Sequence, residues 1–137
     1  MVTTSQLLNL LKTQDPEKVG ADIQQLPGVV FSTYLDALMQ QKNYTPAKLI
    51  NQTLINRTYA YQIFNGSKVP SRDKVLQLAL ALKLNEKETS HLLSLSNNGE
   101  LYPKVSRDAA IIYALMHNYN VMQTNEFLAD TNLAVLK

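Results

Sequence analysis

Between Thr45 and Ser71 the chain reads TPAKLINQTLINRTYAYQIFNGSKVPS, and no other stretch restricts the fold as tightly. Thr45-Pro46 is a helix start, with Pro in the first turn, where its missing N–H is no loss. Asn56 caps a second short helix. Gly66 ends it, because a residue without Cβ takes a positive φ cheaply. Pro70-Ser71 then opens another helix. Two short helices joined by a tight turn cross steeply, the arrangement by which small proteins present one helix to the major groove of DNA.

The surroundings read as helix too. The 4 Gly and 5 Pro are few, and no useful segment alternates apolar and polar residues as a half-buried strand does. Phe31, Tyr34, Leu35, Leu38 and Met39 recur at the spacing of one buried helical face. Leu49, Ile50 and Thr53 face inward on the next helix, and Ala60, Ile63 and Phe64 on the one after. Val75, Leu76, Leu78, Ala79, Leu80 and Leu82 make a broad apolar face that needs cover on two sides. Asn85 to Glu88 resembles a capping box, opening a helix with Leu92, Leu93 and Leu95. Asn97-Asn98-Gly99 is a loop.

Outside this core the pattern weakens. Ser5 to Thr13 forms a short amphipathic helix through Leu7, Leu8, Leu10 and Leu11. Asp15-Pro16-Glu17 starts another, Gly20 weakens it, and Leu26-Pro27-Gly28 breaks the chain. The last third echoes earlier chemistry: Ser106-Arg107-Asp108 matches Ser71-Arg72-Asp73, each reading as a Ser-capped helix start. That echo fits either internal duplication or the ordinary preference for such residues at helix starts. Thr124 to Leu133 gives a final helix with Phe127 and Leu128 inward, and Met39, Met116 and Met122 read as core. The expectation is an all-α fold: an amino-terminal arm over 1–30, a helix-turn-helix domain over 31–97, and a carboxy-terminal extension over 98–137. That extension serves as a lid or a dimerisation surface.

Charge sharpens the functional reading. The net +2 hides an asymmetry. Lys42, Lys48, Arg57, Lys68, Arg72 and Lys74 face only Asp73, a net of +5 on the short helix pair, while residues 1–41 carry −2 and 75–137 carry −1. Phosphates are expected where the positive charge gathers. The absence of cysteine excludes disulfides and thiolate metal sites and is compatible with the cytoplasm. No apolar run approaches a membrane span. The opening MVTTSQLLNLLKTQD lacks a basic leader, which argues against a secretory signal. His91 and His117 sit apart, and no phosphate loop, paired carboxylates or nucleophile elbow is present, so neither an enzyme nor a cofactor is expected.

On these residues the segment resembles the helix-turn-helix of the lambda-repressor and Cro-type regulators, the XRE family. The likeness rests on Thr45, Leu49, Ile55, Asn56-Arg57-Thr58, Ile63 and the run from Asn65 to Ser71. Leu76, Leu78, Ala79, Leu82 and Leu84 extend it, so that it covers about Phe31 to Leu95. It implies a transcriptional regulator that binds double-stranded DNA as a homodimer. Arg57, Tyr61 and Gln62 would then read bases, Arg57 suiting guanine and Gln62 adenine. Thr45, Lys48, Asn56, Thr58, Asn65, Ser67 and Lys68 would complete the DNA face, largely through phosphates. Pro46 departs from the family's usual Gln, and Leu54 from a turn Gly. Leu54 therefore implies another turn geometry, because a left-handed Leu costs about 1 kcal/mol or more. These departures leave room for a protein-interaction module on the same scaffold, with partners met through the terminal helices.

Overall fold

The computed structural model describes residues 3–13 and 16–137, without side-chain placement at 7, 10, 13, 17, 18, 21 and 22. The described residues form eight helices and no strand: α1 (Thr4–Thr13), α2 (Pro16–Gln41), α3 (Pro46–Asn51), α4 (Arg57–Phe64), α5 (Arg72–Ala81), α6 (Glu86–Leu95), α7 (Ser106–Met116) and α8 (Val121–Asp130). The all-α expectation holds. Among them, no helix is long and apolar enough to cross a membrane. Asp15, expected to cap α2, and the Leu7 and Leu10 side chains of the α1 stripe lie outside the described set.

The expected break at Leu26-Pro27-Gly28 does not occur. α2 runs through it. Pro27 removes one N–H, whose acceptor would be the carbonyl of Ile23, and both residues are solvent-exposed. Beyond Pro27 the helix is held firmly, since Phe31 and Leu35 are completely buried and Leu38 and Met39 nearly so. Gly28 sits against the end of α4. A Cβ placed there would come within 2.1 Å of the Gly66 carbonyl oxygen, so only glycine lets these backbones approach so closely.

α5 is the centre of the molecule. Every residue from Val75 to Leu82 is buried. The α3–α4 pair is tied to it through the turn at Leu54, and the hairpin α7–α8 covers another side, burying Ile111, Ala114 and Leu128. The carboxy-terminal helices thus pack on α5 within the single chain. α8 begins earlier than expected, at Val121, because Asn120 and Gln123 form a capping box like that of Asn85 and Glu88. Met116 and Met122, expected in the core, are each 71% exposed; the inward positions they flank are taken by Leu115 and Val121. Neither Ser-Arg-Asp serine acts as expected. Ser71 occupies the cap position without a side-chain bond, and Ser106 is already inside α7, behind Val105.

The two Ser-Arg-Asp starts do meet in space. Arg72 Nη1 lies 3.0 Å from Asp108 Oδ1, and Arg107 grips both oxygens of Asp73 at 2.9 and 3.1 Å. Each arginine bridges the other helix's aspartate. The match continues at a constant spacing of 35 positions: Asn85 and Asn120 cap, Lys83 and Asn118 take positive φ, and so do Asn97 and Asn132. Lys83 Nζ donates to the Asn118 carbonyl at 2.8 Å, tying the two hairpin turns together. The tail joins the same knot, as Arg107 also donates to the carbonyls of Ala134 and Val135.

Candidate nucleic-acid interface

α3 and α4 owe their starts to caps. Thr45 Oγ1 accepts from Lys48 N–H at 3.2 Å, and Asn56 Oδ1 accepts from Thr58 and Tyr59 N–H at 2.9 and 3.3 Å. These bonds occupy the acceptor oxygens of two expected contact residues. The Thr45 hydroxyl proton and the Asn56 amide protons remain on exposed residues. The turn between the helices has the altered geometry that Leu54 implied, for Leu54 is not among the residues of positive φ. Its N–H donates at 2.8 Å to Oε1 of Gln77, a wholly buried side chain on α5. That bond ties the turn before α4 to the buried centre of the molecule.

α4 buries Ala60 and Ile63 and turns its other side outward. Arg57, Tyr61 and Asn65 follow one another at intervals of four, so they share one exposed stripe about 12 Å long. The Arg57 guanidinium carbon stands 5.6 Å from the Tyr61 ring centre, and Tyr61 meets Phe64 edge-on. Thr58 is exposed beside them and Gln62 half-exposed. The loop after α4 is closed by Ser67 and Lys68 N–H, both donating to the Gln62 carbonyl, and by Ser67 N–H on Asn65 Oδ1 at 2.9 Å. Lys68 is exposed there, and Lys48 is exposed on α3 with its ammonium 4.6 Å from the Tyr44 ring. Of the ten sequence-selected residues nine are exposed and Gln62 is half-exposed, so access to solvent is their common pattern. Tyr59 departs from it and is half-buried, with Lys74 Nζ 5.1 Å from its ring.

Charge at this surface is free to act. Arg72 and Asp73 are consumed by the crossed bridges to α7, a neutral set. Lys42, Lys48, Arg57, Lys68 and Lys74 are in no ion pair among the described residues. Burial disfavours the charged form of Asp73, but the Arg107 hydrogen bonds, the Lys137 N–H and the charges of Arg107 and Arg72 outweigh it, so its carboxyl sits below the usual range. Among the described residues no three His, Asp or Glu side chains are placed to hold a metal.

No family model, curated protein or solved structure matches the chain.

The geometry alone must therefore carry the reading. It shows residues that the pattern of apolar spacing did not single out. Gln77 was signalled only as the one polar residue within an otherwise apolar run from Val75 to Leu82. Gly28 was hidden in what looked like a helix stop. Gln24 and Gln25, on the exposed outer half of α2, lie beside Asn65 and Ser67.

Proposed function

We propose that this protein is a sequence-specific regulator of transcription that binds duplex DNA through a lambda-repressor-like helix-turn-helix core, as a homodimer. The observation that carries the proposal is the uncovered stripe Arg57–Tyr61–Asn65, with nearby lysines that have no carboxylate partner among the described residues. In this reading α4 enters the major groove, Arg57 pairs with guanine O6 and N7, and Gln62 with adenine N6 and N7. Lys48 and Lys68 bracket the groove and neutralise phosphates, supplying affinity without sequence preference. One short helix covers few base pairs. Two copies with reading helices about 34 Å apart, one duplex turn, give useful affinity at physiological salt.

The test is binding to duplexes selected from a random pool, followed by fluorescence anisotropy. Arg57→Ala is expected to cost ~1–3 kcal/mol on the selected site and to relax preference at one base pair. Lys68→Ala should weaken all duplexes alike and flatten the salt dependence. If both variants bind every duplex as the parent does, α4 is not the reading helix.

A second reading has its own support. Leu54 is 65% exposed at the turn and Met122 71% exposed across the cleft from it, an apolar pair suited to a protein partner. Retention on heparin separates the two: a DNA binder elutes late with steep salt dependence, an adaptor passes through.

A further inference from the structure

The stripe on α4 does not stop at Asn65. It runs into a cleft of about 340 Å³ between α2 and the loop after α4, lined by Gln24, Gln25, Val29, Asn65, Ser67 and Val69. From this cleft we infer that Gln24 and Gln25 hold a DNA phosphodiester that flanks the bases read by α4, an inference that rests on the proposed DNA binding.

Three observations carry it. First, the position of α2 is set by backbone. The Gly28–Gly66 approach places the outer half of α2 beside the end of the reading helix with no side chain between them. Second, the donors are free. The side chains of Gln24 and Gln25 are exposed and make no hydrogen bond to another described residue, while Asn65 uses its oxygen on Ser67 N–H and keeps its amide protons. Three side-chain amides thus offer N–H donors around one concave surface. Among the described residues no carboxylate lines it. Third, the lengths agree. The stripe from Arg57 to Asn65 spans about 12 Å, and the major groove is about 12 Å wide. With Arg57 over base edges, the Asn65 end lies against the sugar-phosphate wall, and α2 continues along it.

Neutral amides holding a phosphate give binding with a particular signature. They contribute charge-assisted hydrogen bonds but displace no counterion. The experiment uses the full chain and its selected duplex. The Gln24→Ala/Gln25→Ala variant should bind roughly tenfold or more weakly, the equivalent of at least one hydrogen bond to a charged group, with the salt slope of the parent retained. Both positions are exposed and alanine is a strong helix former, so α2 is preserved; circular dichroism checks this. On a duplex whose flanking phosphates are uncharged methylphosphonates, which keep a weaker acceptor oxygen, the difference between parent and variant should shrink markedly. If the parent binds DNA and the variant matches it on the natural duplex, the cleft is no phosphate site while the reading of α4 stands. If the variant loses affinity equally on both duplexes, the amides meet bases or sugars and the assignment to phosphate fails. A parent that binds no duplex overturns both.

Discussion

Replacing Gly28 by alanine sets two effects of opposite sign against each other. Within a helix the change is normally favourable, because alanine exceeds glycine in helix propensity by about 1 kcal/mol. Here the new methyl would stand 2.1 Å from the Gly66 carbonyl oxygen, where real Cβ atoms stay at 3.0 Å or beyond. α2 and the end of α4 must then separate by about 1 Å. Neither side can yield by rotating a side chain, since both are backbone, and Gly66 is already committed to a φ of +85°. Overpacking of this kind costs ~1–3 kcal/mol, and the backbone-to-backbone contact places it at the upper end. After the propensity gain, a net loss of ~2 kcal/mol remains, or a melting temperature lowered by roughly 6–8 °C for a chain of this size. The control lies eight residues earlier. A Cβ at Gly20 meets nothing within 4 Å, so Gly20→Ala should stabilise by up to ~1 kcal/mol. Calorimetric melts of the two variants, side by side, decide the matter. If Gly28→Ala melts higher than the parent, as Gly20→Ala should, the helices are not in backbone contact and the placement of α2 beside α4 is wrong.

Gln77→Leu removes the acceptor for the Leu54 N–H within a buried site, and should destabilise by ~1–3 kcal/mol in urea unfolding; an unchanged midpoint would deny the anchor its role. The same substitution relieves the buried Gln77 Nε2, which has no partner among the described residues, so the measured loss should fall towards the lower end of that range. Asp73 supplies a pH signature. Its carboxyl is held below its ordinary value in the folded chain, so its contribution is complete above the carboxylate range of about 4 and disappears as the pH falls through the depressed value. Asp73→Asn should therefore be less stable than the parent near neutrality, with the gap closing in acid. A gap that stays constant with pH would mean that the Arg107 bridge does not persist in solution.

Much of the core was legible from apolar spacing because burial and helical period coincide there. Phe31, Leu35, Leu49, Ile63, Leu76 and Leu92 were all expected inward and are fully buried. The caps at Thr45, Asn56 and Asn85 were equally readable, since their chemistry is local. What failed depended on partners distant in the chain. Pro27 looks like a stop until the contacts that hold Gly28 and Phe31 are known. Met116 and Met122 fit an apolar helical pattern, but which apolar positions receive cover is decided by neighbouring helices rather than by period. For the interface, the exposed stripe on α4 followed from projecting one helix. The Leu54–Gln77 bond and the amides of α2 did not, because each joins segments more than twenty residues apart.

α5 has no idle face. One side holds the Leu54 amide of the α3–α4 turn through Gln77, while its first turn is locked to α7 by two crossed ion pairs. It is a keel to which both halves of the hull are fastened. The turn before α4 and the terminal hairpin therefore take their positions from the same buried rod.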